Sequence, residues 1–361
     1  MIEKTGIIYS ENEDLSNSQT IEQAGEQSSL TVPNWPSGTD LYVKAYCVES
    51  GQTYESTIEH YVTPEDFDYL YIENDYAGTN TITLTTTKSG SPVEGNYATS
   101  VEYSKDKTTW TTLTLVENGT NTITMDEGEK VYFRNSGGNW NYKNVMDMNL
   151  PYWTTTFSAS ENHNVGGKTN SLTGSYLTIQ PGGNGYATFM NLFKGDTKLI
   201  DSSNLILGVA MYSYNYFEGL FYGCTAMTST PTIPGWTTAY SNVFRDAFKN
   251  CRSLTTAPAL PATIIYDSAY YGMFEGCTAL TQAPELPATN LNNGNNFQYG
   301  RMFYGCSSLN DITIYANSVN SSTTAKWVYG VAGSGTFHNL GSVTYSTGQH
   351  GVPSGWTIVN S

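Results

Sequence analysis

Charged residues are scarce in this sequence, and basic residues are the scarcer kind. Only 13% of the 361 residues are charged, against roughly 25% in ordinary soluble domains. The 16 Lys and Arg residues are outnumbered by 32 Asp and Glu, and the formal net charge is −16. Binding to a polyanion depends on Lys and Arg that displace its counterions, and anionic lipid repels an acidic chain. We therefore expect no binding to nucleic acid or to anionic membranes.

Long apolar runs are absent as well. A membrane-spanning helix needs about 18–20 apolar residues, whereas the longest apolar stretch here is LILGVAMY from Leu205. The N-terminal segment, MIEKTGIIYSENED, lacks the basic and apolar regions of a signal peptide. We expect no membrane insertion. We also expect either a leader removed before Met1 or release of the protein by cell lysis, as for a phage particle.

Motifs that carry chemistry are missing too. No Gly-x-Ser-x-Gly elbow occurs. Gly167, Lys168 and Thr169 resemble the end of a phosphate loop, but Asn162 stands where that loop requires its first glycine. The four histidines show no His-x-x-x-His or similar metal-binding spacing; they are His60, His163, His338 and His350. We therefore expect no enzyme activity, no metal and no cofactor.

What the sequence does contain is β-forming alternation and a surface of hydroxyls and amides. Hydrophobic residues make up 39% of the chain, and tyrosine alone occurs 28 times. Polar and apolar residues alternate with period two in TGIIYSE, DLYVKAYCVE, TITLTTT and TSVEYSKD, and Gly, Ser, Asn and Asp clusters separate these runs. This pattern predicts strands through about residue 150 and a mainly β fold.

The first 65 residues carry a resemblance to a known module. WPSGTDLYVKAY followed by SGQTYES resembles the second half of a fibronectin type III domain, in the form common in gut Bacteroidetes proteins. A full module needs roughly 90–100 residues, so its first two strands have no residues here. Incomplete sandwiches expose edges that accept strands from elsewhere. We expect another chain to complete residues 1–65, either a second copy or a neighbouring particle protein.

That hypothesis requires another chain to cover one face of the module, formed by Ile7, Tyr9, Leu30, Val43 and Ala45. Two alternatives stay open. Residues 1–65 could form a smaller self-sufficient sandwich, or the sequence could be cut from a longer protein. Residues 66–150 are predicted to form a second small β-sandwich. This segment resembles small β-domains that precede leucine-rich repeats in Bacteroides surface proteins and in crAss-like phages.

From about residue 190 the sequence repeats itself. The repeats begin with FKGDTKL, FYGCTAM, FKNCRSL, FEGCTAL and FYGCSSL, and TTAPALPAT or TQAPELPAT follows two of them. An apolar set at fixed offsets is typical of a stacked solenoid, because no single repeat can bury that set alone. We expect the Phe and Cys positions to form its core: Phe193, Phe221, Phe248, Phe274, Phe303, Cys224, Cys251, Cys277 and Cys306.

The pattern Met-Phe-x-Gly-Cys-x-x-Leu followed by Pro-x-Leu-Pro-Ala-Thr resembles BspA-like leucine-rich repeats. The resemblance implies a leucine-rich-repeat solenoid with short helices over residues 191–361, including a C-terminal cap. A short helix is expected before each repeat Phe, as in YDSAYYGMFEGC. Residues 151–190 should form the N-terminal cap that hides the first repeat from water. The predicted fold is thus mainly β, with N-terminal β-sandwich modules followed by this solenoid.

The repeated cysteines are interpreted as a buried ladder of small hydrophobic residues. Coils about 5 Å apart make a disulfide geometrically conceivable, but we expect none. Ligands spread along one axis do not converge on zinc. Asp196, which takes the cysteine position in the first repeat, suits a capping turn better than a metal site.

One repeat position varies in a way that the core does not dictate. Tyr222, Lys249, Glu275 and Tyr304 each follow a repeat Phe, so we expect these side chains to be exposed. Exposed tyrosine buries much area at small entropy cost on binding a sugar or a protein. The four residues are therefore candidate ligand contacts, although ordinary surface variation produces the same pattern.

These expectations point to a non-catalytic binding protein. The resemblances alone do not separate phage from bacterial proteins, because the two share these modules. The lack of a leader before an intact Met1 favours a structural or host-attachment protein on the virion surface of a phage of gut Bacteroidetes, such as a head fibre or tail component. The alternatives are a bacterial cell-surface adhesin and a carbohydrate-binding accessory protein. In each case a host-surface glycan or protein would bind the solenoid. The chain would form an oligomer or belong to a larger assembly.

Overall fold

The computed structural model describes residues 2–10, 12, 14–16, 18–24, 40–56, 59–62, 69–89, 99–135, 142–143, 152–172, 189–208, 215–233, 235–291, 296–320 and 322–360. The chain forms two compact units, residues 1–67 and residues 68–361. Strands predominate in both, as the alternating sequence patterns predict.

The first unit contains a five-stranded antiparallel sheet. Its strands are β1 (Ile2–Ser10), β2 (Gln19–Ala24), β3 (Asp40–Glu49), β4 (Gln52–Glu55) and β5 (Glu59–Val62). The order is β2-β1-β3-β4, and β5 also pairs with β3. Ser50 and Gly51 connect β3 to β4 with φ of 53° and 76°. Two positive φ values in a two-residue loop match the twist of an antiparallel hairpin.

One face of this sheet contains the residues predicted to be covered by another chain. Ile7 lies directly opposite Ala45, and Tyr9 lies opposite Val43. Tyr9 is buried, Ile7 and Val43 are half-buried and Ala45 is exposed. Leu30 lies outside the described residues. The covering chain therefore remains a prediction.

The second unit begins with two sheets that face each other across an apolar core. Their strands are β6 (Leu70–Asn74), β7 (Asn80–Ser89), β8 (Ser100–Ser104), β9 (Thr111–Thr114), β10 (Gly119–Met125), β11 (Lys130–Asn135), β12 (Tyr142–Lys143), β13 (Tyr152–Ala159), β14 (His163–Lys168) and β15 (Leu199–Ile206). The sheet orders are β10-β7-β13-β12 and β15-β14-β6-β11-β8-β9. The segment predicted to be the cap, residues 151–190, thus contributes β13 and β14 to these sheets.

The repeats follow with short strands that pair in parallel. These are β16 (Thr238–Ala239), β17 (Ile264–Ile265), β18 (Asn290–Leu291), β19 (Asp311–Ile314), β20 (Ser318–Val319), β21 (Thr336–Asn339) and β22 (Thr357–Asn360). β16 pairs with β17, β18 with β20, and β19-β21-β22 form a three-stranded sheet. We number the repeats 1 to 5 by their Phe residues, from Phe193 to Phe303.

The residues before each repeat Phe form a run of consecutive turns. In repeat 3, Arg245 N–H donates to the carbonyl of Asn242 three residues back. Phe244 N–H instead donates to the carbonyl of Ala269 in repeat 4. The two bonding modes alternate along the run. Every fourth residue has a left-handed backbone, with φ of 58° at Asn242 and 53° at Asp246.

The expectation of short helices before the repeat Phe residues is therefore wrong. An α-helix needs every N–H to bond four residues back within its own segment, and a left-handed residue interrupts it at a cost of roughly 1–2 kcal/mol. Within the described ranges, the one helical element is a single 3₁₀ turn, Thr169–Leu172. No helix in the described part of the chain is long and apolar enough to cross a membrane.

Two ladders of aromatic rings fill the interior of the repeats. The rings of the five repeat Phe residues stack with centroids 5.4–6.0 Å apart. A second ladder, four residues earlier in each repeat, has centroids 5.5–6.1 Å apart. All of these rings are buried. The second ladder consists of Phe189, Phe217, Phe244, Tyr270 and Tyr299.

The cysteine position forms a third buried row. Cys224, Cys251, Cys277 and Cys306 are fully buried free thiols. Each thiol donates to a carbonyl of a repeat Phe 3.0–3.1 Å away. Asp196 occupies this row in repeat 1, and its Oδ2 lies 2.9 Å from Nε2 of the buried His163 on β14. The first rung of the row is thus anchored to the preceding sheet.

Candidate functional site

The turn runs present a continuous outer surface, which we call the turn face. Within a run, two buried residues alternate with two outward ones. Val243 and Phe244 are buried, Arg245 and Asp246 point outward, and Ala247 is buried again. Because a left-handed residue closes each turn, this pattern has a period of four. Stacking of successive repeats therefore aligns the outward side chains into rows.

The four predicted contact residues lie in one such row. We call it the contact row; it comprises Lys194, Tyr222, Lys249, Glu275, Tyr304 and Tyr329. Tyr222, Lys249 and Tyr304 are half-buried. Glu275 is only 9% exposed, so the expectation that this position is exposed throughout is wrong at repeat 4. The physical reason is that neighbouring cations cover its carboxylate.

Glu275 connects repeat 4 electrostatically to repeats 3 and 5. Arg301 donates two hydrogen bonds to its carboxylate, from Nε at 2.8 Å and Nη2 at 2.7 Å, and Lys249 Nζ lies 3.5 Å away. Burial by itself raises the pKa of Glu275, but the Arg301 hydrogen bonds and the charges of Lys249 and Arg301 outweigh it. The pKa of Glu275 is therefore lowered, and the carboxylate is ionised.

Asp246 has the opposite balance. Its Oδ1 lies 3.3 Å from Lys249 Nζ, and Arg245 Nε is 3.8 Å from its Oδ2. Burial raises the pKa of Asp246, and the nearby cations offset this only in part. The carboxylate is therefore a strong hydrogen-bond acceptor in a partly desolvated position.

Aromatic rings dominate the far end of the contact row. The Arg301 guanidinium lies 3.9 Å from the centroid of the Tyr304 ring. Tyr304 in turn stacks on Tyr329 with centroids 4.8 Å apart. Tyr329 is 50% exposed, and Phe297 nearby in sequence is 42% exposed. A rigid, half-exposed aromatic stack is a typical anchor for ligand binding.

The near end of the turn face borders a cleft of about 550 Å³. One wall is formed by three threonines of the preceding sheet: Thr87 on β7, and Thr154 and Thr156 on β13. The opposite wall is formed by residues of repeats 1 to 3, including Lys194, Glu218, Tyr222 and Asp246. The Phe157 N–H of β13 donates to the carbonyl of Leu192 at 2.7 Å, which fixes the two walls together.

Several of these residues escape analysis of the sequence alone. Lys194 and Tyr329 extend the contact row. Lys194 follows the Phe of repeat 1, in which Asp196 replaces the repeated cysteine, and Val328 replaces the Phe before Tyr329. Arg301 lies at a different repeat position from the residues it contacts. The alternation in TITLTTT and WTTTFS indicates outward threonines, but their partners across the cleft lie more than 30 residues away in the chain.

Within the described ranges, no three His, Cys, Asp or Glu side chains come together as a set of metal ligands. The chain matches no protein-family model, no curated protein and no solved structure. The geometry of the turn face and its cleft is therefore the basis for any functional assignment.

Proposed function

We propose that the protein is a non-catalytic host-attachment protein, carried on the virion surface of a phage of gut Bacteroidetes. In this proposal the repeats form a BspA-like leucine-rich-repeat solenoid. Its turn face binds a glycan or a protein on the host surface. The observation that carries the proposal is the contact row, an unbroken series of aromatic and charged side chains across six successive turns.

The contact row has the physical character of a binding surface. Side chains that the core does not specify are held in contact with one another, as Lys194 lies 5.2 Å from the centroid of the Tyr222 ring. Fixed side chains lose little conformational entropy on binding. Tyr304 and Tyr329 form the far end of the row, and the Arg301 guanidinium lies over the Tyr304 ring. Tyr and Arg are among the residues that most often dominate binding energy.

The stacking of the repeats supports the solenoid. Backbone N–H groups of each repeat donate to carbonyls of the next, as Gly219 donates to Arg245 at 2.8 Å and Gly272 donates to Gly300 at 2.9 Å. The short strands pair in parallel between neighbouring repeats. Nearest-neighbour contact of this kind is how repeat proteins build extended surfaces.

Residues 1–65 would form the docking end of the assembly. The sheet of the first unit carries half-buried Ile7 and Val43 and exposed Ala45 on one face. We propose that a second copy of the chain or a neighbouring virion protein covers this face. The variant Ile7→Glu should then shift the purified protein toward a smaller species in light scattering coupled to size-exclusion chromatography.

Attachment can be tested with labelled full-length protein and Bacteroidetes cells. The double variant Tyr304→Ala, Tyr329→Ala removes the exposed aromatic stack without touching the core. We expect its apparent affinity for cells to fall by roughly tenfold or more, because aromatic anchors of this kind contribute at least about 2 kcal/mol. Tyr76→Ala is the matched control, since Tyr76 is 43% exposed and lies outside the turn face.

Equal cell binding by the double variant and the native chain would rule out the turn face as the attachment surface. The alternative functions are those of a bacterial cell-surface adhesin and of a carbohydrate-binding accessory protein. The cleft specifically favours the second of these. Mass spectrometry of purified phage particles and of bacterial outer-membrane fractions separates these cases. Detection in particles supports the phage protein; detection only in membrane fractions supports the bacterial one.

A further inference from the structure

We propose that the cleft between the threonine wall and repeats 1 to 3 is a binding site for a neutral saccharide. This inference rests on the proposed attachment function and names the ligand class for one end of the turn face. A volume of about 550 Å³ falls within the roughly 300–1,000 Å³ of ordinary small-molecule sites. The site lies in one compact unit, so its walls do not depend on the first unit.

The threonine wall consists of three threonines from one face of the β7–β13 pair. Thr154 lies directly opposite Thr87 in the β7–β13 register, and Thr156 follows two positions along the same strand. Side chains alternate between faces of a strand, so these three share one face. Thr86 and Thr155 occupy the other face, where their hydroxyls hydrogen-bond to each other at 3.1 Å. On the cleft side Thr87 is exposed, Thr156 is half-buried and Thr154 is buried. The Thr156 hydroxyl donates to the carbonyl of Thr85 at 3.4 Å, so its oxygen is left to accept from a ligand.

The opposite wall supplies charged groups: two carboxylates that accept hydrogen bonds and one ammonium group that donates them. Glu218 accepts a hydrogen bond from the Asn215 side-chain amide, and Asp246 is held by Lys249. Both carboxylates remain able to accept from further donors, because each has about four lone-pair positions. Lys194 is exposed at the edge of the cleft and donates. Paired acceptors and donors of this kind suit a ligand made of hydroxyl groups.

Charge balance around the cleft favours a neutral ligand. Two carboxylates, Glu218 and Asp246, and one ammonium group, Lys194, line the cleft. Lys249 lies outside the lining, with its Nζ 3.3 Å from the Asp246 carboxylate. A polyanion would meet both carboxylates, and a cationic ligand would meet Lys194 and an Asp246 carboxylate that Lys249 already contacts. The exposed lining combines polar and apolar atoms in about equal parts. A saccharide, which carries both hydroxyl groups and C–H faces, matches this mixture.

The lining is preformed rather than assembled by the ligand. Gly219 has φ of 62°, and a β-carbon at this position would overlap Oδ1 of Asn191. Glycine therefore allows the Asn191 side chain to pack against the turn of repeat 2. Polar groups already held in position cost less conformational entropy when a ligand binds.

Isothermal titration calorimetry of the full chain tests the inference. Maltotriose, cellotriose and mannotriose serve as neutral probes, trigalacturonate as the anionic probe and an uncharged pentapeptide as the peptide probe. We expect at least one neutral probe to bind. We expect Glu218→Gln to weaken it by roughly tenfold to a hundredfold, the usual contribution of a hydrogen bond to a charged group. Thr87→Trp, which fills the cleft, should abolish binding.

The matched controls are Glu285→Gln and Thr112→Trp, both at exposed positions outside the cleft; they should bind the neutral probe as the native chain does. Binding of trigalacturonate or the pentapeptide in preference to every neutral probe overturns the inference, and so does unchanged affinity in Thr87→Trp. Cell attachment that depends on Tyr304 and Tyr329 while no neutral probe binds would reject the saccharide site alone. Saccharide binding without cell attachment would reject the attachment function alone.

Discussion

Phe274 lies between two neighbouring rings of the first aromatic ladder, with centroids 5.5 Å from Phe248 and 6.0 Å from Phe303, and is fully buried. Replacing it with alanine removes dispersion contacts on both faces and leaves a cavity. We predict that Phe274→Ala lowers the free energy of unfolding by about 3–5 kcal/mol, measured by urea denaturation.

The exposed Phe297 is the control for that prediction. Phe297→Ala removes the same side chain from a position that is 42% exposed, and we expect a change well below about 1 kcal/mol. A loss at Phe274 no larger than the loss at Phe297 would mean that the ladder does not form the core.

The thiols of the cysteine row should be unreactive in the native protein. Burial raises the pKa of Cys306 to about 12 and raises the pKa values of Cys224, Cys251 and Cys277. The reactive thiolate is therefore scarce as well as inaccessible. We predict that four thiols react with Ellman's reagent only after denaturant is added.

Cys47, half-buried on β3 of the first unit, provides the internal comparison. Any fast phase in the native protein should disappear in Cys47→Ser. Rapid labelling of several thiols in that variant, without denaturant, would contradict the buried row.

The turn run is the element that distinguishes these repeats from a helical repeat, and it depends on the left-handed residues. Gly272 has φ of 61°, and a β-carbon there would overlap the Asp246 carboxylate. We predict that Gly272→Ala destabilises the protein by at least about 1–2 kcal/mol, from the left-handed backbone alone. The double variant Gly272→Ala, Asp246→Ala should recover only the part of this stability loss that is due to the overlap with the Asp246 carboxylate.

Gly235→Ala is the matched control for that substitution. No atom lies within 4 Å of a β-carbon at Gly235, so alanine there should be neutral or stabilise slightly. If Gly272→Ala proves equally neutral in thermal unfolding, the four-residue turn pattern does not need its left-handed positions.

The charged part of the contact row predicts how stability depends on pH. The folded-state pKa of Glu275 lies below its ordinary value of 4.5. Its contribution to stability is therefore fully present above about pH 4.5 and is lost as the pH falls through the folded pKa. We predict that Glu275→Gln flattens the decline of the urea midpoint below pH 4.5.

Asp246 should act with the opposite sign. Its folded-state pKa lies above its ordinary value of 3.8, so ionisation in the folded protein costs stability. That cost is fully present above the folded pKa and disappears below 3.8. Asp246→Asn should therefore raise the midpoint at neutral pH. Identical pH profiles for both variants and the native chain would contradict the charge assignments.

At the scale of the second unit, one apolar core runs from the sheets into the repeats. Phe157 joins the two parts, with its ring centroid 4.8 Å from Phe133 and 6.1 Å from Phe193. We predict that sheet and repeats unfold together. Ile82→Ala creates a cavity in the sheet. In hydrogen exchange, the free energy of protection should fall by the same amount for the amides of the repeats as for the amides of β6.

The exposed Val116 supplies the control, since Val116→Ala should leave both sets of amides unchanged. Loss of protection confined to the sheets in Ile82→Ala would show that the repeats unfold separately, as nearest-neighbour models of repeat proteins allow.

The strands and the spacing of the repeats can be predicted from local patterns in the sequence. Alternation of period two identifies β7 because one of its faces is buried and the other is not. The Phe spacing identifies the first aromatic ladder because a stacked repeat must bury the same side chain each time. The second ladder, which was not predicted, has a signal of the same kind, because an aromatic residue stands four positions before each repeat Phe.

The form of the turn runs and the composition of the cleft depend on contacts between segments that lie far apart in the chain. YDSAYYGMFEGC resembles a helix locally. Its N–H groups, however, donate alternately to carbonyls in its own turns and to carbonyls of the next repeat. The local sequence pattern does not indicate the acceptors in the next repeat. The burial of Glu275 depends on Arg301 from another repeat, and the cleft on threonines of a sheet. Such contacts join distant residues, so their chemistry follows from the packing of the chain, not from any one segment.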